Sequence, residues 1–220
     1  KNLEDEYAGN VFSDIPNPMG KLHRNKDNKD KKSRLVGNLY AELHLFDGFM
    51  FKTSFGADYN NLYRRSFSPK YDEINASEKL SGLSNRNAWN FNWVFTNTLN
   101  YTKTFGDHTI NALLGLESLR NRYEYFTASR DGFPSDDPNF HFLDAGDVGT
   151  QKNSGSATEY SMVSYFGKID YNYHDRYLVA FTLRRDGSSR LGNNKWGNFP
   201  AASVGWRISN EPFFDVEAIN

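Results

Sequence analysis

The sequence predicts an all-β fold of antiparallel strands joined up and down in chain order. Three observations predict it. Apolar and polar residues alternate with a period of two over long stretches. Tight-turn sequences such as Asp47-Gly48 sit between neighbouring stretches. The connections then alternate, short and long, along the whole chain.

Each element follows from the residues. Residues 1–33 read as irregular, because Pro16 and Pro18 interrupt any periodic segment. Lys21 to Arg34 carry seven basic residues, broken by Asp27 and Asp30. That run is either a solvated loop or a patch for an anionic ligand. From Arg34 the period becomes two: Leu39, Ala41, Leu43 and Leu45 on one face, Tyr40, Glu42 and His44 on the other. After Asp47-Gly48, Phe49, Phe51, Phe55 and Tyr59 alternate with Met50, Lys52, Ser54 and Asp58, which closes a hairpin.

Residues 61–88 are polar and read as a long loop. Trp89, Phe91, Trp93, Phe95, Leu99 and Tyr101 then share one strand face, and Asn90, Asn92, Thr96, Thr98 and Asn100 the other. A turn at Phe105-Gly106-Asp107-His108 leads to a strand from Thr109 to about Thr127. Residues 129–157 read as a second long loop, followed by a strand over 158–173, a turn at His174-Asp175-Arg176 and a strand from Tyr177. Residues 186–198 read as a third loop and 199–209 as the last strand.

Composition sets limits on function. The chain has 220 residues, with Lys+Arg 26 against Asp+Glu 27 and net charge -1. A nucleic-acid binder would show a basic excess, so that class is disfavoured. Cys is 0, which removes disulfides, cysteine zinc sites and thiol nucleophiles. Aromatic residues make up 16% and Asn 25 positions, at a mean hydropathy of -0.74. An aromatic-rich chain is not a disordered one. The sequence has no apolar run long enough for a membrane helix. Transmembrane strands need only about 9–11 alternating residues, and hydropathy averages hide them.

Strand length and connection pattern favour the membrane reading. The expected strands are far longer than the usual 5–6 residues or so of soluble sheets. Barrels in outer membranes carry short turns on one side and long loops on the other. One strand face is rich in Leu, Phe, Val and Trp, as lipid requires, and the other in Asn, Thr, Ser, Lys and Asp, as a wet lumen requires. Tyr and Trp cluster near strand ends, where bilayer interfaces favour them.

The C-terminal third carries a specific series of motifs. Ser164-Tyr165-Phe166-Gly167-Lys168-Ile169-Asp170-Tyr171 leads into Asp175-Arg176-Tyr177-Leu178. Arg184-Arg185-Asp186-Gly187-Ser188-Ser189-Arg190-Leu191-Gly192 follows, then Trp196-Gly197-Asn198-Phe199-Pro200 and Gly205-Trp206-Arg207-Ile208-Ser209. This series resembles the SusC/RagA family of TonB-linked outer-membrane transporters. Asn17-Pro18, the Phe49–Tyr59 strand and Leu114-Gly115-Leu116-Glu117 fit the same family.

The resemblance implies a transmembrane β-barrel segment, with about seven of the family's 22 strands here, long outer loops and short periplasmic turns. It places residues 1–33 in an extracellular loop region, 34–209 in the barrel wall, and 210–220 in a periplasmic turn leading to the next strand. It implies a Gram-negative outer-membrane location and import of oligosaccharides or peptides. The partners implied are a SusD-like surface lipoprotein, outer-membrane lipid, and the TonB-ExbB-ExbD system acting through an N-terminal part with plug and TonB box. The first residues show neither a signal-peptide pattern nor an initiator Met, so the expectation is a section of a longer polypeptide. The alternatives are a TonB-dependent siderophore or cobalamin receptor, and a soluble surface β-rich binding or adhesion module.

Sugar recognition uses flat aromatic faces beside planar hydrogen-bonding groups. The candidate substrate contacts are Trp89, Tyr125, Asp136, Asp137, Asn139, Phe140 and Trp196. Arg184, Asp186, Gly187, Ser188, Ser189, Arg190, Trp196, Gly197, Phe199, Pro200, Trp206 and Arg207 are expected to serve structure. Asp131, Asp136, Asp137, Asp144 and Asp147 crowd the second loop, where a Ca²⁺ site is a lesser alternative to turn chemistry. The five histidines lack metal-ligand spacing, so no metal or other cofactor and no enzymatic activity are expected.

Overall fold

The computed structural model describes residues 18–73 and 76–214. Pro16, Asn17 and the 215–220 part of the expected final turn lie outside the described residues. The elements are α1 (Pro18–Arg24), β1 (Lys29–Phe46), β2 (Phe49–Ser68), β3 (Tyr71–Glu73), β4 (Ala76–Glu78), β5 (Gly82–Phe105), β6 (His108–Asp131), β7 (Lys152–Tyr173), β8 (Tyr177–Ser188) and β9 (Trp196–Trp206). Seven strands form one sheet in the order β1-β2-β5-β6-β7-β8-β9, and β3 pairs with β4 in a separate hairpin. The up-and-down order is the one the alternating sequence predicts. Short connections at 47–48, 106–107 and 174–176 alternate with long ones at 69–81, 132–151 and 189–195.

Several boundaries differ from the sequence reading. Residues 18–24 form a helix and β1 begins at Lys29, inside the stretch read as irregular. β2 runs to Ser68 and β5 starts at Gly82, so the expected 61–88 loop shrinks to a connection carrying the small hairpin. β7 starts at Lys152 rather than 158. β9 spans Trp196–Trp206 rather than 199–209, and Ile208–Asn210 form one 3-10 turn. The physical reason is common to these cases. Segments such as Lys152-Asn153-Ser154-Gly155-Ser156 have no apolar alternation, because both faces meet polar surroundings. Cross-strand hydrogen bonding, not pattern, carries the strand through them.

The chain divides into two compact units. One contains Leu35–Asp58, Phe91–Arg122 and the described part of Glu159–Asn220. Its register sorts the side chains cleanly. Tyr177, Val179, Phe181 and Leu183 of β8 pair with Tyr173, Tyr171, Ile169 and Gly167 of β7 and with Trp206, Val204, Ala202 and Pro200 of β9. This face is apolar and stands open: Phe181 is 49% exposed and Val204 84%. The opposite face carries Thr182, Arg184 and Asp186 against Lys168, Phe166 and Ser164.

An aromatic row ends the apolar face beside the short turns. Phe49 packs on Phe46 and on Tyr101, with ring centroids 4.5 and 4.3 Å apart. His108 sits 4.8 Å from Tyr173 and shares a 2.6 Å hydrogen bond with the Tyr171 hydroxyl. Tyr173 stacks with Tyr177. Further along the same face, Trp196 stacks with Tyr165. Trp196 and Trp206 are ten residues apart in β9, roughly 33 Å along a strand. At a tilt of about 40° that separation spans about 25 Å, the height of the apolar band of a barrel.

The tight turns are specified locally. Gly48 has φ +80°, and a Cβ there would stand 2.4 Å from the Thr102 carbonyl oxygen. The Thr102 amide donates to the Gly48 carbonyl at 2.8 Å, so only glycine closes this corner without displacement.

The other unit contains the described part of Lys1–Arg34 with Tyr59–Asn90 and Tyr123–Thr158. It holds a small core of Phe67, Leu83 and Phe133, with Leu143 against it. The Ser81 hydroxyl accepts from the Phe133 amide at 3.0 Å and donates to its carbonyl at 3.2 Å. Among the described residues, only Phe67, Leu83, Ala88 and Phe133 are buried hydrophobics. Large apolar side chains such as Phe181 and Val204 instead stand exposed. Contiguous apolar exposure on that scale marks a membrane or partner surface. No described helix is long and apolar enough to cross a membrane, which says nothing of strands.

Candidate functional site: the polar face and the 132–151 loop

The polar face is organised around Arg184. Its Nε donates to Asp186 Oδ1 at 2.7 Å, and Nη2 donates to Ser164 Oγ at 2.9 Å and to Glu117 Oε1 at 3.3 Å. Thr96 Oγ1 donates to the other Glu117 oxygen at 3.3 Å. The guanidinium lies 5.5 Å over the Phe166 ring. Two carboxylates and a hydroxyl therefore satisfy one cation on a partly covered surface, where bidentate charge-assisted bonds are strong.

The other signature residues also have structural tasks. Gly187 leaves room for Trp196, whose ring would stand 2.8 Å from an added Cβ. Gly197 leaves the same room for Phe199 at 2.9 Å. Arg185 holds its guanidinium 5.0 Å over Trp196. Ser189 accepts from the Ser161 amide through its hydroxyl at 2.9 Å, and Ser188 Oγ accepts from the Arg190 amide at 3.3 Å. Arg190 covers the Tyr160 ring at 3.9 Å. Pro200 stands in β9, an end strand of the sheet, where a residue without N–H is tolerated.

Beyond β9 the chain folds back on the β7–β8 turn. Arg207 bridges to Asp175 at 2.5 Å, and Asn210 Nδ2 donates to the Asp175 carbonyl at 2.9 Å. Glu211 is buried and accepts from Tyr177 Oη at 2.6 Å and Trp206 Nε1 at 2.9 Å, with Arg176 at 3.4 Å. These donors, the Tyr177 hydroxyl first, hold its carboxyl below the usual carboxylate range.

The substrate candidates are not gathered into one place. Tyr125 sits under the Arg86 guanidinium at 3.9 Å, and Arg86 also donates to Tyr123 Oη at 3.1 Å. Asp136, Asp137, Asn139 and Phe140 lie together and exposed in the 132–151 loop. Trp196 stands on the apolar face beside Tyr165, and Trp89 shares its strand face with Phe91 and Trp93. Tyr125 and the 136–140 turn both lie in the unit with the small core.

The loop is built, not slack. Asp137 Oδ1 accepts from the Asn139 amide at 2.9 Å and caps the Pro138–Phe140 turn. Asp147 Oδ1 accepts from the Gly149 amide at 2.8 Å and caps the next. Asp144 pairs with Arg130 at 3.5 Å and Asp131 with Lys152 at 3.4 Å. Four of the five acids thus have partners within the protein. No group of three or more His, Asp or Glu able to hold a metal occurs among the described residues.

His141 fixes the loop to the sheet. It is 5% exposed and stacks on Phe67 with centroids 3.5 Å apart. Arg65 donates to the His141 carbonyl and, at 3.5 Å, to that of Pro138. Burial, then the nearby Arg65 charge, pushes the imidazole pKa down. The sequence reading assigns no role of this kind to Arg65, Arg86, His141 or Glu211. An Arg facing a Tyr-x-Tyr pair was the available signal for Arg86. Nothing local announces Arg65 or His141, whose partners are distant in sequence, and Glu211 joins one near partner, Trp206, to the distant Tyr177 and Arg176.

No family model matches the chain. It is 32% identical over 96% of its length to TonB-dependent receptor P39 of Formosa agariphila, of which it covers 20%. It is 27% identical over its whole length to TonB-dependent receptor SusC of Bacteroides thetaiotaomicron, covering 21% of that protein. The chain spans about a fifth of the length of the curated relatives it matches. Among solved structures it matches the RagAB peptide transporter with a TM-score of 0.83 and 22% identity, over 91% of this chain and 22% of that one. The closed-closed state of the RagAB peptide importer matches with a TM-score of 0.77 over 87% of this chain and 22% of that one. The two-faced sheet, the aromatic row and these likenesses agree: over about a fifth of their length the chain is similar to TonB-dependent receptors, and its seven-stranded sheet has the fold of a section of the RagAB transporter.

Proposed function

We propose that this chain forms part of the wall of an outer-membrane importer of oligosaccharides or peptides, driven through TonB and working with a SusD-like surface lipoprotein. The observation that carries the reading is the sheet itself. One face is apolar, exposed and bounded by aromatic rings about 25 Å apart across the bilayer. The other is polar and cross-linked by Arg184. Lipid is the solvent that suits the first, and a wet lumen the second. The short turns then face the periplasm and the long loops the outside. The relatives' names supply the transport class, and the word peptide in one of them keeps peptides beside glycans as substrates.

In this reading the wall acts on its cargo by positioning. Exposed Phe140 offers a flat ring next to Asn139 and Asp136, and Tyr125 offers a second ring held by Arg86. The test uses the complete polypeptide with a SusD-like lipoprotein, expressed together in an outer membrane. TonB-dependent uptake of a panel of oligosaccharides and peptides supports the reading. Folding as a soluble monomer without detergent overturns it.

A further inference from the structure

β7 outruns the strand beside it. Its ladder with β8 ends at the pair Met162–Ser188, and a last bond runs from the Ser189 amide to the Ser161 carbonyl at 3.0 Å. From Tyr160 back to Lys152 the strand is paired on one side only, with β6. Among the described residues, no backbone hydrogen bond reaches its other margin. Lys152–Thr158 lie in the unit with the small core, and every one of them is exposed. Their β6 side is closed: a Cβ on Gly155 would stand 2.9 Å from the Tyr125 carbonyl oxygen. Strand edges are ordinarily guarded by lysine, proline or a bulge. Here Lys152 is engaged by Asp131 at 3.4 Å, and Asn153 to Thr158 contain neither charge nor proline.

The margin therefore offers N–H and C=O groups that repeat every two residues, roughly 7 Å. An extended polypeptide matches that repeat and a sugar ring does not. The side chains beside it are Asn, Ser, Gly, Ser, Ala and Thr, with no aromatic or charged anchor of the kind that dedicated protein partners use. Main-chain recognition without anchors suits a ligand of varied sequence. We propose that the free margin of β7 along Lys152–Thr158 binds an extended segment of peptide cargo by strand addition, reading its backbone and not its side chains. The inference rests on the importer reading and chooses peptide over oligosaccharide as the ligand of this edge.

The experiment uses the complete polypeptide in nanodiscs, without and with a SusD-like lipoprotein. The probes are capped peptides of about seven Ala, Ser and Thr residues, roughly 23 Å of strand. One is plain, and two are N-methylated at alternate residues, in opposite phases. An extended guest turns every second N–H to the margin, so one phase is expected to lose about a hundredfold in affinity and the other to stay within about fivefold. The plain peptide is expected to slow hydrogen exchange in residues 153–158. Equal affinity of all three probes, equal loss in both phases, or unchanged exchange overturns the proposal. Protection of the same amides by the lipoprotein alone overturns it too, because the margin is then the partner's. Ser156→Pro and Ala157→Pro test the protein side, since neighbouring amides serve opposite margins. The variant that keeps its folded band in unheated electrophoresis is expected to lose the plain peptide, and its full binding would overturn the proposal. A polypeptide that never enters the bilayer refutes the importer; one that enters and imports cargo while this edge stays unprotected refutes the inference alone.

Discussion

Phe166 lies across the backbone of Gly115, so close that a Cβ on Gly115 would stand 2.1 Å from the ring. Phe166 in turn lies beneath Arg184. Gly115 is thus the floor of the polar-face hub, two strands away from the signature residue that crowns it.

Replacing Gly115 by Ala forces the ring aside and disturbs the Arg184 bonds to Glu117 and Asp186. Overpacking of this kind costs about 1–3 kcal/mol. Thermal loss of the folded band on electrophoresis measures it. The double variant G115A/F166L is expected to recover most of the loss; no recovery would show that the ring is not the obstacle.

Acid should loosen the 132–151 loop. The imidazole of His141 is held neutral by burial and by Arg65, against the weaker pull of Asp136 and Asp27. Its folded pKa is below the ordinary 6.5, so its contribution to stability is present above 6.5 and lost as pH falls through the folded value. Hydrogen exchange in residues 132–151, corrected for intrinsic rates, should rise on acidification below 6.5 in wild type. His141→Phe keeps a ring on Phe67 and removes the titration, so its protection should stay flat.

The carboxylate of Glu211 titrates in the same direction. Its pKa is lowered from 4.5 by Tyr177 and Trp206, so its stabilising effect holds above 4.5 and disappears as pH falls through the folded value. Glu211→Gln should remove that acid dependence and shift the Trp206 emission. An unchanged pH profile would mean that the hydrogen bonds do not persist in solution.

Lipids brominated along the acyl chain should separate the tryptophans by depth. Trp93, four residues beyond Trp89 and stacked near Phe55, lies among the leucine and phenylalanine positions. Trp206 lies in the aromatic row at the short turns. Single-tryptophan versions should show deep quenching at Trp93 and shallow quenching at Trp206. Equal quenching by a water-soluble agent would place both outside the bilayer.

Substrate contact at Tyr125 is separable from structure. Tyr125→Ala removes the ring under Arg86, and Tyr125→Phe keeps it. Uptake that falls with Ala and survives with Phe identifies the ring face as the contact. Loss in both points to the hydroxyl or to folding, which the folded band distinguishes.

The strands were legible where one face meets hydrocarbon and the other water. Val179, Phe181 and Leu183 announce β8 because Ala180 and Thr182 lie between them. The strand ends were not legible: Lys152 to Ser156 and Arg64 to Ser68 lack that contrast, and pairing partners far along the chain extend them. The candidate residues suffered differently. Trp196 looked like a loop ring because Gly and Asn surround it, yet β9 begins there and carries it to the apolar face. Asp137 and Asp147 cap turns, the chemistry the sequence favours for this loop and one that Asp two residues before an amide serves well. Arg65, His141 and Glu211 act on partners that only the folded chain brings near.

Every strand of the large sheet pairs by backbone hydrogen bonds with its neighbours in the order β1-β2-β5-β6-β7-β8-β9. Such a chain can assemble like a zip, each hairpin closing on the edge left by the last, with little loop entropy to overcome at any step. The free margin of each closed hairpin is then the template on which the following strand of the sheet is laid. A fault in one hairpin leaves its predecessors intact and halts its successors.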